Sequence, residues 1–168
     1  MSKTREMIII SLAIALVYIA TAFINVRLPL MAQGGLIHLG NVPLFIFAIV
    51  FGPKVGAVSG AIGMGLFDLL SGWVLWAPFT VVIVGTMGYV VGALTKNHKA
   101  MNWYVSAIVA ACAIKVVGYY IAEGFIYGNW VAPLASVPGN LCQIGVAAVV
   151  ALPIASALGA SKVFVKNF

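Results

Sequence analysis

Long apolar runs broken by short polar or Gly/Pro-bearing stretches dominate the chain. Six apolar segments stand out, at residues 7–24, 42–51, 55–70, 77–94, 103–121 and 137–164. Loop signals lie between them at 27–40, 52–54, 71–76, 96–102 and 123–136. A helix that crosses the ~30 Å hydrocarbon core of a bilayer needs about 20 residues. The second segment falls well short of that and is bracketed by Pro43 and Gly52-Pro53. Either residues 36–41 extend it, or it is bent and sheltered by neighbours. Irregular backbone at membrane depth is tolerated only where protein or a water-filled cavity surrounds it. The short segment and the loop before it therefore point to a cavity. The pattern predicts an all-α membrane protein, a six-transmembrane-helix bundle formed as one integral-membrane domain over residues 1–168.

Composition agrees with the pattern. Of 168 residues 64% are hydrophobic and 7% charged, whereas a soluble domain is nearer 45–50% apolar and ~25% charged. A water-soluble globule is excluded, and so is a disordered chain, which has the opposite bias. No length remains for a separate catalytic or nucleotide-binding domain. The net charge is +6, from nine Lys/Arg against three Asp/Glu. The basic residues are dispersed at the ends of apolar runs, which favours membrane orientation over nucleic-acid binding. With the N-terminus inside, Lys3, Arg5, Lys54, Lys96, Lys99, Lys162 and Lys166 fall on the inner side. Arg27 alone falls outside, and Lys115 lies within the fifth segment. That is the positive-inside arrangement with both termini cytoplasmic. The run 7–24 is too long for the core of a cleavable signal, and no A-x-A site leads into a polar chain. Cys112 and Cys142 sit in apolar segments without CxxC spacing or a nearby His, and read as packing residues.

Catalytic motifs are missing. Gly52-Pro53-Lys54 and Gly159-Ala160-Ser161-Lys162 lack the spacing of a phosphate loop, and there is no HExxH, GxSxG or metal-ligand cluster. The expectation is a chain with no catalytic residue, metal or cofactor of its own. Uphill transport by ATP hydrolysis would need another chain to supply the ATPase.

The polar residues within or beside the apolar segments gather in the outer half. Ionisable groups at membrane depth are costly and by default functional. His38 and Asn41 enter the second segment from outside, and Asp68 lies near the outer end of the third. Trp73 and Trp76 follow in an outer loop. Glu123 falls just past the fifth segment, with Tyr119 and Tyr120 a turn deeper and Lys115 on the same helical stripe, towards a pocket floor. Trp130 lies in the last outer loop. Asn140 and Gln143, three apart, share one face of the sixth segment. Each also has a plain reading: the aromatics as interfacial anchors, Asp68 as a cap or a partner of Arg27, Glu123 and His38 as loop residues, Lys115 as a snorkelling side chain, the amides as helix–helix glue. Together they suit a small planar heterocycle. Rings offer flat faces, amides offer paired donors and acceptors, and carboxylates accept from amines or hydroxyls. The candidate substrate-binding residues are His38, Asn41, Asp68, Trp76, Lys115, Tyr119, Glu123, Trp130, Asn140 and Gln143. Small-residue pairs Gly56/Gly60 and Gly88/Gly92 suggest close packing inside the bundle, while Ser11/Ala15 on the first segment suits either packing or an external docking face.

The runs Leu36-Ile37-His38-Leu39-Gly40-Asn41, Phe51-Gly52-Pro53-Lys54-Val55-Gly56-Ala57, Asp68-Leu69-Leu70-Ser71-Gly72 and Ala77-Pro78-Phe79-Thr80 resemble the S components of energy-coupling factor (ECF) vitamin transporters, in the riboflavin-transporter-like branch. Pro138-Gly139-Asn140-Leu141-Cys142-Gln143 fits the same branch. The resemblance implies a six-helix substrate-capture subunit in the bacterial plasma membrane that takes a vitamin from outside. It implies a transmembrane T component and two cytoplasmic ATPases as partners, with ATP and Mg used by the ATPases. It also implies that Ser11 and Ala15 contact the T component, although the family has alanine at both positions and Ser11 departs from it. The bundle is expected to topple in the bilayer to release substrate, with residues 27–40 as a gate. Among substrates, hydroxymethylpyrimidine and pyridoxine are preferred, both small heterocycles bearing a hydroxymethyl group. The competing readings are an S component for riboflavin or another vitamin, a stand-alone secondary transporter, for which a second broken helix is lacking, and a small intramembrane enzyme built on Asp68, Glu123 and His38.

Overall fold

A computed structural model describes residues 2–27 and 36–160. Six helices follow in order: α1 Lys3–Phe23, α2 Asn41–Phe51, α3 Pro53–Leu70, α4 Ala77–Thr95, α5 Met101–Tyr127 and α6 Val137–Ala160. The central part of the expected gate, residues 28–35, and the end of the sixth segment with Lys162 and Lys166 lie outside the described residues. Lys3–Phe23, Ala77–Thr95, Met101–Tyr127 and Ala132–Gly159 are each long and apolar enough to cross a membrane. The protein is all-α in its membrane-embedded body.

The short helix α2 has 11 residues, about 16 Å at 1.5 Å per residue. It is sheltered rather than extended. Leu44, Phe45 and Ala48 are fully buried, and α2 touches α1, α3, α4 and α6. Gly52 joins it to α3 at φ 93°, a left-handed conformation that only glycine adopts without strain. Pro53 then opens α3 at the first helical position, where its missing N–H costs nothing. The pair α3/α4 makes the most extensive helix contact. Its backbones nearly touch, since a Cβ on Gly56 would lie 2.5 Å from the Gly88 carbonyl oxygen. The glycine stripes thus pack inside the bundle, as expected.

Helix α1 is peripheral. It buries only Ile9, Ala13, Val17 and Thr21, a single i, i+4 stripe, and α3 is its main neighbour. Ser11 and Ala15 lie on its exposed side, beside the exposed Ile8, Leu12 and Ile19.

Two features depart from the expected loops. Residues 25–27 and 36–38 form an antiparallel ribbon, β1 Asn25–Arg27 and β2 Leu36–His38, with Val26 opposite Ile37. Helix α5 runs on to Tyr127 and stops at Gly128, φ 61°. That places Glu123 within the helix rather than past its end. The physical reason is the C-terminal glycine signal: the helix persists until a residue that accepts the left-handed cap.

Candidate functional site

The ends of α1, α3 and α5 meet the starts of α4 and α6 at the pole opposite the N-terminus, and β2 crosses the same pole. A cavity there is lined by His38, Asp68, Trp73, Trp76, Lys115, Tyr119, Glu123, Asn140 and Gln143, together with Thr21, Leu36, Met64, Phe67 and Thr80. Eight of the ten candidate residues are thereby brought to one place.

Lys115 is 1% exposed. Its Nζ donates to Gln143 Oε1 at 2.9 Å and sits 5.6 Å above the Tyr119 ring centroid, within cation–π range. Gln143 Nε2 in turn donates to the Leu36 carbonyl at 2.6 Å. One amide thus ties α5 to the strand that precedes α2, and its orientation is fixed at both ends. Lys115 keeps two further N–H donors, since an ammonium has three. The Tyr119 hydroxyl shares a hydrogen bond with Thr80 Oγ1 at 3.0 Å. The Ser136 hydroxyl donates to Glu123 Oε2 at 2.6 Å, so the 3-10 turn Ala132–Ser136 braces the carboxylate. The Trp76 indole N–H is buried and has no acceptor among the described residues. Trp76 meets Trp73 edge-on at 5.3 Å and Tyr127 at 6.0 Å between centroids.

His38 Nδ1 accepts from the Gly40 N–H at 3.2 Å, a role open only to an unprotonated nitrogen. Burial first, and the Lys115 charge second, hold the imidazole well below its ordinary value. His38 is therefore neutral and presents Nε2–H. Gly40 is required beneath it, because a Cβ there would run into the Thr21 hydroxyl.

Two candidates lie elsewhere. Asn41 is fully buried at the start of α2, off the cavity wall, and neither of its side-chain polar atoms has a partner among the described residues. Its place in the first turn of a core helix turns the amide inwards. Trp130 is 49% exposed and wraps the outside of α5, against Phe125 at 5.4 Å and over the notch left by Gly124. Tyr120 Oη donates to the Trp130 carbonyl at 2.8 Å. That face of α5 is not the one bearing Tyr119 and Glu123. Sequence reasoning missed Thr80 and Ser136 as supports. Thr80 sits in one of the motif runs above, but nothing local marks Ser136.

The free volume of the cavity is about 60 Å³, far below the ~300–1,000 Å³ of an open small-molecule pocket. A ligand of that size enters only as lining groups move outward. Formally the lining carries Asp68 and Glu123 against Lys115, one negative charge in excess, with His38 neutral.

A family described as the S component of ECF-type riboflavin transporters matches residues 1–160. The chain belongs to that family. It is a transporter's S component, not an enzyme, and it is embedded in the membrane. The thiamine precursor transporter HmpT of Lactococcus lactis is 28% identical over 147 residues, 88% of this chain and 83% of that protein. An uncharacterized protein of Pyrococcus woesei is 34% identical over 103 residues, covering 61% of this chain and 69% of its own. A UPF0397 protein of Vibrio atlanticus is 37% identical over 84 residues, 45% of this S component and 46% of its own length. The chain is accordingly a subunit for uptake of a vitamin or vitamin precursor, of a kind that works with a T component and ATPases.

Proposed function

We propose that this S component captures hydroxymethylpyrimidine, with pyridoxine as the nearest alternative, and delivers it through a T component and two cytoplasmic ATPases that consume ATP and Mg. The observation that carries this reading is the convergence of Asp68, Lys115, Glu123, Asn140 and Gln143 with Trp76 and Tyr119 around one cavity. A pyrimidine bearing an amine and a hydroxymethyl group presents donors to the carboxylates and ring acceptors to the Lys115 ammonium. The excess negative charge favours the free heterocycle over its phosphate ester. The likeness to a thiamine precursor transporter supports the choice. Riboflavin, which the family's description brings forward, is the second reading. All six helices are read as lying in the bilayer with the N-terminus inside, so that the cavity faces outwards. Ser11 and Ala15, exposed on the peripheral helix α1, are proposed as the T-component contact.

The test is mass spectrometry of small molecules released from the purified protein, followed by titration with hydroxymethylpyrimidine, pyridoxine and riboflavin. Recovery of a flavin overturns the pyrimidine assignment. Glu123→Ala and Asn140→Ala are expected to weaken binding at least about tenfold, roughly one hydrogen bond to a charged or buried group each, and to leave complex assembly intact. Ser11→Leu and Ala15→Leu are expected to keep binding and lose assembly. Unchanged binding in both cavity variants overturns the placement of the site.

A further inference from the structure

A second cavity, of about 500 Å³, opens at the other pole, where α2 turns into α3 and α4 into α5. Lys54, Lys96 and Lys99 border it, with Glu6 the one acidic residue on its wall. Lys54 pairs with Glu6 at 2.8 Å. Lys96 and Lys99 are exposed and have no acidic partner among the described residues. The remaining wall is largely apolar and includes Val50 and Leu158.

We propose that this cavity binds the anionic head group of a membrane phospholipid. Two ammonium groups without an acidic partner among the described residues give the rim a surplus of positive charge that complements a phosphodiester. The apolar wall below them suits the glycerol and upper acyl chain, whereas a freely soluble anion gains nothing from it. The position also fits, because the site lies at the ends of membrane-length helices, at the depth where head groups reside. Basic pockets between membrane helices bind acidic lipids in this way, and clustered lysines near the surface each strengthen the attraction. The site is separate from the heterocycle cavity and does not depend on what that cavity binds.

The test uses the full chain in nanodiscs of phosphatidylcholine with and without phosphatidylglycerol. Native mass spectrometry counts the lipid retained. The wild type is expected to keep phosphatidylglycerol in preference to phosphatidylcholine. The double variant Lys96→Gln/Lys99→Gln is expected to lose that preference by roughly tenfold or more, from two surface lysines. Lys3→Gln, which removes a charge at the same pole but off the cavity, is expected to keep it. Both replaced side chains are exposed, and an unchanged melting temperature confirms that the variant is folded. Equal retention by wild type and double variant overturns the proposal. So does loss of the retained phosphatidylglycerol when inorganic phosphate alone is added, which would make the ligand a soluble anion rather than a lipid.

Discussion

Gln143 ties together the cavity at the pole opposite the N-terminus, because it accepts from the buried Lys115 ammonium and also donates to the Leu36 carbonyl. Gln143→Leu leaves a buried cation without its acceptor, and hydrogen bonds to charged groups contribute about 1.5–3 kcal/mol. Loss of stability of that order is expected in thermal or denaturant unfolding. Adding Lys115→Met to Gln143→Leu should recover most of it, since the stranded charge is then gone. A double variant no more stable than the single would refute the coupling. His38 makes a pH prediction at the same scale. Its imidazole must stay neutral to accept from Gly40, and burial holds its folded value well below 6.5. The unfolded chain therefore binds more protons below about pH 6.5, and stability falls as the pH drops through that range. Melting curves between about pH 7.5 and 5.5 should show the decline in the wild type and a flatter profile in His38→Gln. A variant as steep as the wild type would assign the dependence to another group.

Among the elements, the α3/α4 pair is where one added methyl has the clearest effect. Gly56→Ala drives a Cβ to 2.5 Å from the Gly88 carbonyl oxygen, and overpacking of this kind costs typically 1–3 kcal/mol. Gly145→Ala meets nothing within 4 Å and is expected to be neutral or slightly stabilising, since alanine suits a helix interior better. Similar unfolding of the two variants would mean that the helices separate freely. The same elements show what a linear sequence discloses. The Gly56/Gly60 and Gly88/Gly92 spacings are local patterns with one dominant physical use, so the packing of α3 on α4 was legible. The gathering of polar groups at one pole was legible for a similar reason: polar groups in apolar segments are few and expensive, and their place along each segment sorts them. The β1/β2 ribbon was not legible, because strands of three residues carry no periodicity to detect. Trp130 lies off the cavity because depth alone does not say which face of α5 a loop folds onto, and the notch at Gly124 that receives it exists only in three dimensions. Asn41 lies off the cavity wall for the converse reason, since the first turn of α2 turns this polar residue into the core.

At the scale of the molecule, two poles of opposite character explain why so few charges suffice. Asp68 and Glu123 belong to the cavity at the pole opposite the N-terminus, whereas Lys54, Lys96 and Lys99 border the one at the other pole, with Lys3 and Arg5 in the first turn of α1. The asymmetry leads to an orientation that can be measured. With basic residues retained on the cytoplasmic side, Lys99 and the N-terminus face inwards, and Asn129, in the exposed stretch after α5, faces outwards. Cys112 and Cys142 are both free and are first replaced by alanine. A single cysteine is then introduced as Lys99→Cys or Asn129→Cys. In intact cells a membrane-impermeant maleimide should label the Asn129→Cys variant and spare the Lys99→Cys variant, and permeabilisation should expose the second. The reverse pattern would turn the cavity towards the cytoplasm, where it could release a heterocycle but not capture one from outside. The capture role and the orientation therefore stand or fall on the same measurement.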